Sequence, residues 1–173
     1  MSLALSIGTM DTPLGKFLLV GDDQDVLHAA DFADCEIRLR KLLDRRLGRS
    51  GYQLASGQVP ATITAALEAY FAGDLAAIDR IPVKAGGTAF QNAVWTALRT
   101  ITPGRTLTYS QLADKLGRPR SARAVGHANG ANPFSIIVPC HRMVGADGAL
   151  TGYAGGIGRK RWLLDHEARH TRA

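Results

Sequence analysis

The sequence predicts an α+β protein in two parts, a strand-rich first part and a helical second part. Three observations support this prediction. Apolar residues alternate with small or polar ones at the start of the chain, which is the period of a β-strand. Capping-box patterns mark the beginnings of helices in the second half. The balance of charge also changes near Lys84, and we place there the boundary between a domain of residues 1–84 and one of residues 85–173.

Strands are expected to open the first part. Leu3, Leu5 and Ile7 alternate with small or polar residues, and further apolar runs lie at residues 16–21 and 26–32. Turn residues separate the runs, so the sequence predicts an antiparallel meander.

Two helices should follow these strands. Asp34 is the expected cap of the first helix, which carries a leucine face and ends at Gly48. The second helix is expected over residues 60–72, and residues 74–87, with a proline and a glycine pair, indicate a linker. No group of reactive side chains converges in this part of the sequence, so we expect it to support the second part.

Capping boxes begin two helices of the second part. Thr88 with Gln91, and Thr108 with Gln111, have the spacing at which two side chains satisfy the free backbone N–H groups of a helix start. The helix that begins at Thr108 should be short, because Gly117 is a helix-stop residue.

A third helix would complete a helix-turn-helix. Ser121 is its expected cap, and it should run to Asn129, just before Gly130. Its alanine and glycine residues leave a smooth face on which Arg123 is the main protruding group. Small residues allow close approach to a DNA groove, and one arginine can enter the base stack. The alternative is helix packing with a solvated Arg123, but the flanking arginines favour the DNA interpretation.

Charge and cysteine content narrow the class of protein. The net charge is +6, and residues 85–173 hold 12 Lys and Arg against 4 Asp and Glu, whereas residues 1–84 hold 9 against 11. A basic second part attracts polyanions such as nucleic acid, although a basic surface without a partner has the same composition. No apolar run approaches the ~20 residues of a membrane span, so we expect no membrane association. Two widely separated cysteines favour a cytoplasmic protein with reduced thiols.

The reactive stretch is Cys140 with His141, directly after an apolar run and Pro139. Proline gives no N–H to a strand ladder, so an ordinary strand should end there. A thiol beside an imidazole is the smallest set that makes an activated sulfur nucleophile, because the thiolate is the reactive form. The alternative is a buried core cysteine, the usual environment of a free cysteine.

Five motifs carry a resemblance to a known family. They are Arg123-Ala124-Val125-Gly126, Asn132-Pro133, Val138-Pro139-Cys140-His141-Arg142, Tyr153-Ala154-Gly155-Gly156 and Trp162-Leu163-Leu164-Asp165-His166-Glu167. In their order and spacing, residues 90–167 resemble the methylated-DNA–protein-cysteine methyltransferases, or O6-alkylguanine-DNA alkyltransferases; residues 1–84 resemble them less. The resemblance implies a ribonuclease-H-like α/β domain followed by a helix-turn-helix (winged-helix-like) domain that carries the reactive cysteine.

The resemblance also implies catalytic roles. Cys140 would take the alkyl group, His141 would act as base through a bound water, Glu167 would orient His141, and Asn132 would brace the active-site turn. A soft thiolate suits attack on the saturated carbon of an alkyl group, and the thioether product is not readily cleaved. We therefore expect direct-reversal DNA repair, with one turnover per molecule and no metal or organic cofactor.

Substrate and DNA contacts follow from the same resemblance. The pocket for the alkylated base is expected to be lined by Val138, Tyr153, Ala154 and Gly155. Tyr109 would lie near the lesion and its 3′ phosphate, where its hydroxyl is a candidate proton donor. Because the lesion lies inside the duplex, its nucleotide must be flipped out, and Arg123 would fill the gap. Further duplex contacts are expected from Ser121, Ala122, Gly126 and Tyr109.

Three features depart from the family pattern or add to it. His127 stands in the recognition helix where the family usually has a small residue, so groove contact there can become pH-sensitive. Ala154 stands where some members have serine, which leaves only a backbone N–H for the alkylated oxygen. The run Arg159-Lys160-Arg161 is expected to be a solvated cationic face.

The expected partner is double-stranded alkylated DNA, bound by a monomer. The sequence leaves open cooperative assembly on DNA, activity on O4-alkylthymine, and the preference among methyl and bulkier adducts. Two other functions compete with alkyl transfer. An alkyltransferase-like module would bind the lesion without dealkylating it, but such modules lack the acceptor cysteine. A thiol hydrolase acting on a small substrate would need neither the basic second part nor Arg123.

Overall fold

The computed structural model describes residues 1–171, and the expected second domain, residues 85–173, extends two residues beyond them. Two compact units are present. The first contains Met1–Gly86 and Pro133–Ile137, and the second contains Gly87–Asn132 and the chain from Val138 onward. Among the described helices, none combines the length and the apolar character that a membrane crossing needs.

A four-stranded sheet forms the first unit, in the order β3-β2-β1-β4. The strands are β1 (Leu3–Thr12), β2 (Gly15–Gly21), β3 (Leu27–Phe32) and β4 (Tyr52–Ser56). The first three pair antiparallel, which confirms the predicted meander. Strand β4, which was not predicted, lies parallel to β1 on the other side.

Helix α1 (Glu36–Leu47) packs its leucine face on this sheet, and α2 (Ala61–Phe71) follows β4. Gly48 ends α1 at φ 77°, so the predicted helix stop is confirmed. The predicted cap at Asp34 is wrong. Asp34 lies inside a 3-10 turn, Ala33–Cys35, and this turn places Cys35 at the N-cap of α1.

Most of the segment predicted as a linker, residues 74–86, is part of the first unit. Residues Leu75–Arg80 form a 3-10 helix, and Leu75, Ile78 and Ile81 are buried. Val83 then forms a bridge with Leu27. Apolar residues spaced three apart give a 3-10 turn one buried side, which explains why a segment with loop-like composition is packed.

A short excursion of the chain, Pro133–Ile137, belongs to the first unit. Ser135 N donates to the carbonyl of Ala30 at 2.9 Å, and Phe134 forms a bridge with the same residue. The run predicted to enter as a strand turns instead, and Ile136 has φ 71°. A β-branched residue in the left-handed region is strained, so the surrounding contacts must hold it there.

A buried carboxylate holds this excursion. Asp31 on β3 accepts hydrogen bonds from Ser135 Oγ at 3.1 Å and from Arg38 NH1 on α1 at 2.8 Å. Burial raises the pKa of Asp31, and the Arg38 charge opposes that rise. The carboxylate therefore depends on Arg38 to remain ionised inside the unit.

Helices dominate the second unit. They are α3 (Ala89–Leu98), α4 (Tyr109–Lys115), α5 (Ala122–Gly130) and α6 (Ile157–Thr171). Both predicted capping boxes are confirmed, because Thr88 and Gln91, and Thr108 and Gln111, exchange hydrogen bonds. A two-residue parallel ladder joins β5 (Leu107–Thr108) to β6 (Met143–Val144). Ser121 stands at the N-cap of α5, but the predicted side-chain bond is absent, since its ψ of 19° is not the extended conformation of a capping residue.

Candidate active site and DNA-binding groove

Cys140 opens a 3-10 turn, Cys140–Arg142, directly after Pro139. Cys140 as a whole residue is 8% exposed, so it is nearly enclosed. Cys140 N donates to the Val138 carbonyl at 2.7 Å, and Asn132 Nδ2 donates to the same oxygen at 2.8 Å. Both Asn132 and Val138 are buried, so this shared acceptor fixes the backbone on which the thiol is carried.

His141 and Glu167 form the buried pair next to this thiol. His141 Nε2 lies 3.0 Å from Glu167 Oε2, and neither side chain is exposed. An ionised carboxylate can only accept, so Nε2 carries the hydrogen and donates it. The lone pair is then on His141 Nδ1, which is buried and has no hydrogen-bond partner among residues 1–171. This nitrogen is available to take a proton.

Arg142 holds the carboxylate from the other side. Its Nε donates to Glu167 Oε1 at 2.8 Å, and its NH2 donates to Oε2 at 2.7 Å. The remaining NH1 donates to the Ile101 carbonyl at 2.6 Å, so the buried guanidinium is fixed on three sides. The sequence motifs did not predict a role for Arg142. A buried arginine needs an acidic partner, and the partner of Arg142 is Glu167, 25 residues further along the chain. The sequence alone does not show that these two residues meet.

Ionisation states follow from this packing. Burial opposes the charge on Glu167, but the His141 charge and the hydrogen bonds from Arg142 and His141 hold the pKa of that carboxyl below its usual range. Burial lowers the pKa of His141, although Glu167 opposes this change. The resting pair is therefore a neutral imidazole beside a carboxylate whose charge Arg142 balances.

Lys160 contradicts the prediction of a solvated cationic run. Arg161 is exposed as expected, but Lys160 is 0% exposed, on the face of α6 that also presents Leu163 and Glu167. Lys160 Nζ donates to the Thr151 carbonyl at 2.6 Å. Positions three and seven residues apart share one face of a helix. This spacing could have predicted that Lys160 is buried, but its two basic neighbours favoured a solvated run.

The expected base-pocket loop ends at α6. Tyr153 is half-buried, Ala154 is exposed and Gly155 is half-buried. Gly156 N donates to the Tyr153 carbonyl at 2.9 Å, and Arg159 NH1 donates to the Gly155 carbonyl at 3.2 Å. Backbone oxygens of this loop therefore accept hydrogen bonds from Gly156, just before α6, and from Arg159 in the first turn of α6.

An open groove of about 530 Å³ lies along α4 and α5. The predicted residues Tyr109, Ala122, Arg123 and Gly126 all line it, together with His127. Its lining residues do not include Ser121, Cys140 or the loop residues 153–155. Its other lining residues are Thr108, Ser110 and Ala146.

The two helices beside the groove are held from behind. Val125 and Ala128 of α5 are buried, and Trp95 Nε1 on α3 donates to the Ala128 carbonyl at 2.8 Å. Arg123 is exposed on the opposite side. Arg118, which favoured the DNA interpretation, lies 5.5 Å from the centre of the Phe90 ring. A smooth, supported helix with a free arginine is typical of a surface that approaches a nucleic-acid groove closely.

The second unit thus combines two features in one compact body: a helix-turn-helix groove and a buried imidazole–carboxylate pair beside an almost buried thiol. Together they define a class, a DNA-binding protein that uses cysteine chemistry.

Comparison with known proteins gives the family. Residues 5–85 match the family described as "6-O-methylguanine DNA methyltransferase, ribonuclease-like domain", and residues 89–169 match "6-O-methylguanine DNA methyltransferase, DNA binding domain". The chain belongs to the 6-O-methylguanine DNA methyltransferase family. The resemblance drawn from the sequence motifs is confirmed, and so is the predicted fold class.

Similar relatives span almost the whole chain. The methylated-DNA–protein-cysteine methyltransferase of Shigella flexneri is 49% identical, over 90% of this chain and 91% of that protein. The protein of the same name from Salmonella typhimurium is 51% identical over the same shares. A crystal structure of Mycobacterium tuberculosis OGT in complex with DNA is 39% identical, with a TM-score of 0.80, covering 97% of this chain and 96% of that one.

Proposed function

We propose that this protein repairs DNA by transferring the alkyl group of O6-alkylguanine irreversibly to the sulfur of Cys140. Membership of the family and the activity named for its relatives support the alkyl transfer and the binding of DNA. The observation that carries the choice of residues is the His141–Glu167 pair, which leaves a proton-accepting nitrogen next to the only cysteine of the second part.

The reaction begins with ionisation of the thiol. The Sγ–H proton passes to His141 Nδ1, relayed by water as the family resemblance implies, while Glu167 accepts the Nε2–H bond and stabilises the imidazolium. The Sγ electron pair then forms a bond to the alkyl carbon as the bond from that carbon to guanine O6 breaks. The electron pair released stays on guanine, which takes a proton from the Tyr109 hydroxyl. The His141 imidazolium then returns a proton to the Tyr109 phenolate through solvent. The net change therefore moves one alkyl group to sulfur and the thiol proton to guanine.

DNA handling is assigned to the groove. The exposed Arg123 would take the place of the flipped nucleotide, while Ala122 and Gly126 allow close approach of the duplex and Ser121 contacts it at the start of α5. The base pocket would be formed by Val138 and the loop residues Tyr153, Ala154 and Gly155. Asn132 would keep the active-site turn in register through its bond to the Val138 carbonyl.

Mass spectrometry of the reacted protein tests this function. After incubation with a duplex containing O6-methylguanine, the Cys140 peptide should gain the mass of one methyl group, once per molecule. Cys140→Ala should leave the lesion intact, and Cys35→Ala, which removes the other cysteine, should react as the parent does. An unmodified Cys140 with loss of the lesion, or a Cys140→Ala protein that still removes it, would overturn the assignment.

The oligomeric state, the location and the roles of the two domains are also proposed. We expect a monomer. We also expect it in the cytoplasm, because its two cysteines lie far apart in the sequence and suit a reducing compartment. Residues 1–84 would support residues 85–173, which bind DNA and accept the alkyl group. Sedimentation with and without duplex tests the monomer and any cooperative assembly on DNA. Affinity for duplex should fall as salt rises, since phosphate contacts release counterions.

A further inference from the structure

Lys160 is a cation in the interior of the second unit. It shares the buried face of α6 with Glu167, two helical turns further on, so the two residues are roughly 10 Å apart along the axis. That face of α6 packs against the turn Cys140–Arg142. The buried face of α6 therefore carries an anionic group that binds His141 and, two turns earlier, a cationic group.

Within the part of the chain that the structure describes, no carboxylate pairs with the Lys160 ammonium. Among residues 1–171 no Asp or Glu forms an ion pair with it, and both oxygens of Glu167 are taken by Arg142 and His141. Its hydrogen bond to the Thr151 carbonyl fixes the group but does not neutralise it. A buried charge of this kind normally requires an opposite charge nearby.

The sulfur of Cys140 is the group that can supply this charge. Burial lowers the pKa of Lys160, and the charge of Cys140 raises it again. Electrostatic interactions are reciprocal, so a cation that is stabilised by a thiolate stabilises that thiolate to the same extent.

We propose that Lys160 is a positioning residue that stabilises the thiolate of Cys140, with its ammonium held in place by the Thr151 carbonyl. This inference rests on the proposed function of Cys140 as the alkyl acceptor. It adds a fixed cation to the nucleophile that His141 is proposed to deprotonate. Because the same bond joins Lys160 to the segment that leads into the base-pocket loop, the cation is anchored beside the place where the substrate is expected.

The same charge also affects the fate of the proton. Burial lowers the pKa of His141, Glu167 opposes this change, and the charges of Arg142 and Lys160 lower the pKa further. Lys160 therefore favours loss of the thiol proton and opposes its retention on His141. The proton that leaves sulfur can then replace the one that Tyr109 gives to guanine when the bond from guanine O6 to the alkyl carbon breaks and the bond from sulfur to that carbon forms.

Four variants in a Cys35→Ala background test the role. Lys160→Met removes the charge and the hydrogen bond, whereas Lys160→Gln removes the charge and keeps a donor for the Thr151 carbonyl. Lys160→Arg keeps the charge. Arg161→Gln is the matched control, because it removes an exposed cation from the next position of the same helix. Single-turnover methyl transfer from O6-methylguanine duplex is measured from neutral to alkaline pH, and the thiolate of Cys140 is titrated by its ultraviolet absorbance without DNA.

Lys160→Met and Lys160→Gln should transfer the methyl group about tenfold more slowly at neutral pH and recover as pH rises, with the thiolate titration displaced to higher pH. Lys160→Arg and Arg161→Gln should keep the parent's titration. Loss of rate by the same factor at every pH, with an unchanged thiolate titration, would overturn the proposal in favour of a purely structural role. If Lys160→Met does not fold, the difference in thiolate titration between Lys160→Gln and Lys160→Arg decides between the two roles. If the parent is not methylated on Cys140, the proposed function fails, while the titrations still decide the inference.

Discussion

The buried reactive set and the open groove lie in the same unit, but they are built in opposite ways. Cys140, His141, Arg142 and Glu167 are at most 8% exposed, and hydrogen bonds of 2.7–3.0 Å join Glu167 to its two partners. The groove is lined by exposed or half-buried side chains, and its principal cation, Arg123, is exposed. Proton transfer is favoured when the charged groups are held in place in a site of low dielectric constant. Binding of DNA phosphates is favoured when the cations of the protein are exposed at the surface.

This difference predicts two kinds of response to substitution. Removal of a buried charge leaves its partner uncompensated, so changes in the reactive set should affect stability and rate strongly. Changes in the groove should affect duplex DNA alone, more weakly, and in a way that depends on salt.

The largest effect is expected from Arg142→Met, which leaves the Glu167 carboxylate buried without its bidentate partner. The free energy of unfolding should fall by about 3–5 kcal/mol, measured by urea denaturation. Arg161→Met, at an exposed position of α6, should change it by less than about 0.5 kcal/mol. Adding Glu167→Gln to Arg142→Met should restore part of the loss, and a fully additive pair would contradict the coupling.

Glu167→Gln should come next, through its effect on rate. An amide cannot stabilise the imidazolium, and it can present its NH2 group to His141 Nε2, which favours the wrong tautomer. Single-turnover methyl transfer should slow by about 10²–10³-fold in protein shown to be folded by circular dichroism. Asp165→Asn, an exposed carboxylate on the same helix, should match the parent. A rate within a few-fold of the parent would remove Glu167 from the proton relay.

Acid should destabilise the protein in two stages. Burial lowers the pKa of His141 in the folded state, so the unfolded chain binds that proton first and stability falls as pH drops below about 6.5. The slope from one such group is at most about 1.4 kcal/mol per pH unit. The pKa of Glu167 is also lowered, so its contribution is lost only below about pH 4.3. Unfolding measured across pH should show the first stage reduced in His141→Gln and unchanged in Arg120→Gln.

The smallest effect is expected in the groove. Arg123→Ala should slow methyl transfer from duplex by about fivefold, because a fivefold change corresponds to the loss of roughly 1 kcal/mol of stacking. Transfer from the free O6-methylguanine base should stay at the parent's rate. Arg120→Gln removes another exposed cation, two residues before α5, and should weaken duplex binding at low salt without changing the rate at saturating DNA. Equal losses on duplex and free base would place Arg123 outside the flipping step.

Local signals predicted the helices well. The two capping boxes and the Gly48 stop involve residues within a few positions of each other, so they can be recognised without the rest of the chain. Strand β4 could not be recognised in this way, because its five residues gain their partner from β1, about 50 residues earlier in the chain.

The reactive residues also divide into those that a local motif predicts and those that depend on a distant partner. The sequence motif pointed to Cys140, His141 and Glu167, but it did not show that Arg142 holds Glu167 or that Lys160 is buried. Burial of a charge depends on a partner supplied by the fold, and both basic residues have the composition of a surface. Lys160 misled the prediction because its two neighbours are arginines, and one of them is exposed.

The excursion Pro133–Ile137 limits how the chain can be produced as two separate fragments. A break between Gly86 and Gly87 gives two continuous fragments, yet neither fragment is a complete compact unit. The first fragment lacks the segment that bonds to Ala30. The second carries three apolar side chains that are 0% exposed in the whole protein: Phe134, Ile136 and Ile137. Made alone, the second fragment should aggregate through these side chains, and co-expression with the first should rescue it by giving the segment back its sheet.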